Sequence, residues 1–297
     1  MRIRARALAV LVAPALLLAA CGSDDGDGGT QATTPPQPAK VAVTATASGK
    51  QVSFDVPAQL KPGATQLELV NNTKEPAELQ IVQLDGGHTL ADFYPVIETE
   101  EPAPIPTWLH AFGGVGETSP GETRSVVIDL KAGKYAWFSG TSPEQEGATP
   151  QYKRGAEGSF EVTGDASGAQ LPATPAEVMA KELAPTDYRF EASGFKAGTN
   201  QITFTNTGAQ LHHVIIAKLN KGATLGKVVQ FFSTEKGPPP VDFDASEVTA
   251  VLDAGGRQVE TVELQSGSYA LLCFLSDRAG SPPHVIKAKM IQEVKVA

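Results

Sequence analysis

Beyond residue 40, apolar positions in this chain come in short stretches that alternate with polar ones or run β-branched. Val41, Val43 and Ala45 form one such stretch, and Leu67, Leu69 and Val70 another. Ile202 with Phe204, Val214 to Ile216, and Val259, Val262 and Leu264 continue the series. Successive side chains of a strand point to opposite faces, so a period near two predicts half-buried strands. Proline and glycine punctuate them at Pro62-Gly63, Pro120-Gly121 and Gly237 to Pro240. Many short strands between turn signals predict an all-β chain of Greek-key sandwich or barrel type. Two interruptions, 89–94 and 224–232, read as short helices whose N-caps are Thr89 and Thr224.

The pattern repeats. Residues 64–84 lie over 199–219, residues 87–90 over 222–225, and residues 133–139 over 267–273. The offset moves only from 199 − 64 = 135 to 267 − 133 = 134. Three separated blocks at a nearly constant offset point to duplication, giving two tandem domains at 41–164 and 174–297. Tyr135 and Tyr269 each follow a Gly-x pair at a strand start. A tyrosine there bonds back to the preceding Greek-key corner, so both are expected in the core.

The first forty residues obey different rules. Arg2, Arg4 and Arg6 precede an apolar run from Ala7 to Ala20. A basic start with a short apolar core predicts a signal peptide over 1–20. Leu18-Ala19-Ala20-Cys21 resembles the bacterial lipoprotein signal. That resemblance implies lipid on Cys21 and an extracytoplasmic protein held on the membrane surface. Residues 21–40 are Gly, Asp, Thr and Pro with little to bury, and predict a disordered tether. Cleavage after residue 20 removes three arginines and changes the net charge from −9 to −12. So acidic a chain is a poor nucleic-acid binder.

With Cys21 lipidated, Cys273 has no partner within the chain. A lone thiol outside the cytoplasm is buried and inert, paired to another chain, or bound to metal. His284 and Met290 follow it, and His212-His213 precede it. A thiolate, two imidazoles and a thioether are soft ligands that suit copper. In the first copy Ala77 takes the place of His212, Ser139 of Cys273, Pro150 of His284 and Ala156 of Met290, so that copy has no metal site. His88 and His110 read as surface or locally hydrogen-bonded residues.

Gly267-x-Tyr269 running to Cys273, then His284 and Met290, resembles the cupredoxin family. The stretch from Asn206 to Ile216 resembles the family's strand carrying the first histidine, which selects His212 over His213. The resemblance implies two tandem cupredoxin-like Greek-key β-sandwiches and one mononuclear copper held by His212, Cys273, His284 and Met290. It also implies electron transfer or copper holding, with a redox partner protein. The Cys273–His284 segment is longer than is usual in blue-copper members. No G-x-S-x-G, H-E-x-x-H, phosphate-cradling loop or paired His-x-His motif is present, so no enzymatic activity is expected. The other reading is a metal-free interaction module of the same fold at the cell envelope.

Overall fold

A computed structural model describes residues 36–99, 103–143, 147–234 and 236–297. The expected signal peptide and Cys21 lie outside the described residues. The first half contains β1 (Ala39–Ser48), β2 (Gln51–Phe54), β3 (Gln59–Leu60), β4 (Gly63–Asn71), β5 (Ala77–Leu84), α1 (Leu90–Ile97), β6 (Leu109–Thr118), β7 (Thr123–Leu130), β8 (Gly133–Phe138), a 3₁₀ turn Gln151–Arg154 and β9 (Glu157–Val162). The second contains β10 (Ala176–Ala184), β11 (Asp187–Ser193), β12 (Gly198–Asn206), β13 (Ile215–Leu219), α2 (Leu225–Thr234), β14 (Val241–Val248), β15 (Arg257–Leu264), β16 (Gly267–Leu272), α3 (His284–Lys287) and β17 (Ile291–Val296). β1 starts inside the stretch expected to be tether, because Ala39 and Lys40 already pair with Thr65 and Gln66 of β4.

Each half is a two-sheet sandwich. In the first, β2-β1-β4-β7 packs on β3-β9-β8-β5-β6; in the second, β11-β10-β12-β15 packs on β14-β13-β16-β17. Leu67, Leu69, Ile81 and Tyr135 share the first core, and Ile202, Phe204, Ile216 and Leu271 the second. The tyrosine corners form as expected. Tyr135 Oη accepts from the Lys131 amide (3.2 Å) and donates to its carbonyl (3.0 Å); Tyr269 does the same with Gln265 at 3.0 and 3.1 Å. The helix starts differ in detail. The Thr224 hydroxyl accepts from the Lys227 amide (3.3 Å), whereas at α1 the Asp92 carboxylate reaches back to the Thr89 amide (2.8 Å) and hydroxyl (2.9 Å).

The halves are welded edge to edge. β7 and β15 pair antiparallel through Val126–Glu260, Val127–Val259 and Ile128–Gln258, making one eight-stranded sheet. On the outer face the linker covers this seam, with Ala169 and Leu171 packed on Ala64, Val127 and Val259. On the inner face β6 runs against residues 248–253. Two glycines permit that approach: a Cβ on Gly116 would lie 1.8 Å from the Val248 carbonyl oxygen, and one on Gly113 2.0 Å from Gln258 Oε1.

The seam encloses polar groups. Gln258 Nε2 donates to Glu260 Oε1 (2.7 Å), and Arg124 lies 3.5 Å from Glu260 and 3.0 Å from Glu247. Burial pushes the Glu260 carboxyl up to about 7, although Arg124 pulls it down. Burial does the same to Glu78. An acid whose folded pKa is raised contributes stability that is full below its ordinary pKa and lost as pH rises through the folded one. The Glu260 contribution, about 3 kcal/mol, should therefore be lost as pH rises from about 4.5 to about 7, against an opposite contribution from buried histidines whose pKa values are depressed. In thermal unfolding, Glu260→Gln should gain stability relative to the parent chain by about that amount across this pH range. The same pH dependence in both chains would mean that Glu260 is not a buried acid.

Candidate metal centre

Three local devices bring the ligand residues together. Asn206, at the end of β12, folds the following turn: its Nδ2 donates to the Gln210 carbonyl (2.7 Å) and its Oδ1 accepts from the Gly208 amide (2.9 Å). The same Nδ2 reaches the Leu252 carbonyl at 3.0 Å. His212 emerges from this turn and exchanges both backbone hydrogen bonds with Leu252, at 3.0 and 2.8 Å. Cys273 ends β16. Pro283, held extended at ψ 147°, places His284 as the first residue of α3. The His284 amide then donates to Leu275 (2.8 Å) and the Val285 amide to Cys273 (2.9 Å), closing the loop on the strand end.

His212, Cys273 and His284 converge. Cys273 Sγ lies 3.6 Å from His212 Nδ1 and 3.5 Å from His284 Nδ1, and the three ligand atoms fall within 4.8 Å of one another. All three residues are 0% exposed. Bonds of about 2.0–2.3 Å from nitrogen and sulfur to one first-row metal ion, in a near-trigonal set, place neighbouring ligand atoms about 3.5–3.7 Å apart. The sulfur-to-nitrogen spacings fit that requirement. Met290 is also 0% exposed and shares the core cluster of Cys273; its amide donates to the His284 carbonyl at 3.0 Å. His213 turns elsewhere: its Nε2 accepts from the Phe274 amide (3.0 Å), and burial pushes its pKa down to about 3.

Each ligand imidazole is anchored on its far side by a carboxylate. His212 Nε2 lies 3.1 Å from Glu182 Oε1, and His284 Nε2 3.1 Å from Asp277 Oδ1. Burial alone would raise both acids. The His212 bond and the Gln210 and Ala209 amides overcome this for Glu182, and Lys287 and Tyr188 for Asp277, so both sit below the ordinary carboxylate range. An ionised carboxylate only accepts, so each Nε2 carries the proton and each Nδ1 presents a lone pair toward Cys273. Tyr188 donates to Asp277 Oδ1 (3.0 Å) and stands edge-on to the His284 ring at 5.0 Å. Burial pushes the Cys273 thiol up to about 12 and His284 down to about 4.

The first half holds a closed counterpart. Ser139 Oγ donates to Gln151 Oε1 (2.8 Å), and Gln151 Nε2 donates to the Pro76 carbonyl (2.8 Å). Gln151, not Pro150, stands where His284 stands. Its amide donates to Thr141 and that of Tyr152 to Ser139, matching the bonds of His284 and Val285. The register differs because the second half has one more residue between this turn and the last strand. There Lys289 adopts φ 51° to swing the chain from α3 into β17. Ala77 pairs with Thr118, as His212 does with Leu252, and Asn71 repeats the Asn206 bonds to Glu75 (2.9 Å) and Thr118 (2.8 Å). The scaffold recurs, with other residues in place of the His–Cys–His trio.

Sequence reasoning did not find Glu182, Asp277 or Tyr188. Only Asn206 carried a signal, through its repetition as Asn71. His110, expected at the surface or locally bonded, spans the two halves: its ring nitrogens lie 3.1 Å from Asp85 and 3.3 Å from Asp253.

Strand order, tyrosine corners and the His–Cys–His trio define the chain's class as two cupredoxin-like β-sandwiches, the second with a candidate metal centre. No family model matches the chain, and no curated protein matches it. Among solved structures it is similar to auracyanin A, a "blue" copper protein from Chloroflexus aurantiacus. That match has 16% identity, 42% of this chain, 99% of that one and a TM-score of 0.31. It is also similar to auracyanin from Roseiflexus castenholzii (23% identity, 41% and 94%, TM-score 0.27). A third is the copper nitrite reductase of Nitrosomonas europaea (14% identity, 88% and 94%, TM-score 0.28).

A metal ion needs the thiolate, and the free chain keeps the thiol protonated. Between about pH 8 and pH 9 the Cys273 thiol should release one proton per bound ion, and the association constant should rise about tenfold per pH unit. Titration calorimetry in buffers of different ionisation enthalpy measures the proton count; a count near zero would refute the protonated thiol.

Proposed function

We propose that this protein binds one copper ion through His212, Cys273 and His284, with Met290 as the weak fourth ligand, and serves in electron transfer or copper holding. The observation that carries this reading is the convergence of two imidazole Nδ1 atoms and one thiol, all fully buried, with each imidazole backed by an ionised carboxylate. A bound copper ion would supply a one-electron couple. The residues supply a soft set of two imidazoles and one thiolate suited to both oxidation states of copper. Glu182 and Asp277 fix the ring orientations and raise imidazole basicity. All four ligand residues are fully buried, which favours a carrier over an enzyme.

We further propose that lipid on Cys21 holds the chain on the outer side of the bacterial membrane, where a protein partner exchanges electrons or copper with it. The short apolar run ending at Cys21 supports this reading.

One equivalent of Cu(II) added to the chain with Cys21 replaced by Ser should give an intense thiolate-to-copper band and a single EPR species. Cys273→Ala should lose both and still unfold cooperatively. No stoichiometric copper in the parent chain would refute the reading. Glu182→Gln should weaken copper binding by about 10–100-fold without unfolding the protein. In cells, Cys21→Ala should move the protein from the membrane to the soluble fraction; a parent chain already soluble would refute the anchor.

A further inference from the structure

The first domain has lost its ligands, yet it touches the second where the ligands are held. Leu252 is bridged on one side by His212 and on the other by Phe112 of β6. Its neighbour Val251 is gripped by Gln80 of β5, a buried side chain of the first domain. Gln80 Oε1 accepts from the Val251 amide (2.7 Å), and Nε2 donates to the Val251 carbonyl (3.2 Å) and to that of Gly113 (3.2 Å). The Gly113 amide donates to the Val251 carbonyl (2.9 Å) and the Asp253 amide to that of Ala111 (2.9 Å). The Leu252 segment is thus the middle strand of a ladder, with His212 on one side and the first domain on the other.

A second attachment leaves from the loop joining Cys273 to His284. Arg278 donates to the carbonyls of Pro106 (2.8 Å) and Leu109 (3.1 Å) and to Asp253 Oδ2 (2.6 Å). Its own carbonyl accepts from the Ile105 amide (2.8 Å). Asp277, which holds His284, is the residue before it. Arg278, within this loop, is the residue that reaches the first domain.

We propose that the ligand-free domain is the outer support of the metal centre. Gln80 and β6 position His212 through the Leu252 segment, and Arg278 positions the Cys273–His284 loop on residues 105–109. The inference rests on the metal reading for its purpose, but its geometry is tested without metal.

The test is residue-resolved amide hydrogen exchange on the metal-free full chain, comparing Gln80→Leu, Arg278→Ala and a control, Gln151→Leu. The control breaks polar bonds inside the first domain with no link to Leu252. Gln80→Leu should speed exchange of the His212 and Leu252 amides about tenfold or more and leave Val285 near the parent rate. Arg278→Ala should do the reverse, speeding His284 and Val285. The proposal is overturned if only Val251 speeds up in Gln80→Leu, or if Gln151→Leu accelerates the same amides equally. With copper added, Gln80→Leu should shift the visible band and the EPR hyperfine splitting while Gln151→Leu leaves both unchanged. Identical spectra in parent and Gln80→Leu would also overturn it. A parent chain that binds no copper would sink the metal reading alone, because the exchange rates still decide the positioning role.

Discussion

Three residue pairs between β7 and β15 hold the architecture in place. They turn two four-stranded sheets into one and fix the angle at which the domains meet. Once that edge is joined, β6 lies along residues 248–253 and the ligand loop reaches residues 105–109. An unpaired sheet edge exposes a row of backbone donors and acceptors, and each half closes the other's. The cost is a polar interior at the seam, where Glu260, Gln258 and Arg124 are removed from water. Breaking one partner of such a group costs more than the group contributes while intact.

Burial also shapes the chemistry of the ligands. The Cys273 thiol and the His284 imidazole, removed from water, favour their neutral forms, and the two carboxylates behind the imidazoles settle which nitrogen keeps its proton. The lone pairs face inward before any ion arrives. Little ordering is left to be done on binding, which is the physical content of a preorganised site.

Much of this was legible in the sequence. Period-two patterning and the punctuation by Pro and Gly mark the strands. The blocks at a constant offset mark the duplication, and the Gly-x-Tyr pairs mark the corners. The trio of His212, Cys273 and His284 stood out because the sister copy lacks it. What was not legible depends on strand edges. Val126 and Glu260 lie far apart in sequence, and nothing in β7 or β15 marks either as an edge strand that pairs across domains. Glu182 reads as one more exposed acid on an alternating strand until the turn at Asn206 folds His212 over it. The exchange of Pro150 for Gln151 has a similar origin: the second half has one residue fewer before the turn and regains it at Lys289, so the offset agrees on either side and hides the shift between.

Val126 and Glu260 occupy equivalent places in the two copies and face each other across the seam, so the copies are related by an approximate twofold axis through that pair. A dimer of identical second-half units joined by the same edge would set Glu260 against its own duplicate, two carboxylates with no water between them. Covalent linkage removes the obligation to be identical. One copy supplies the acid, the other a valine and the nearby Arg124, so the joint need not be symmetric as it would be between identical chains.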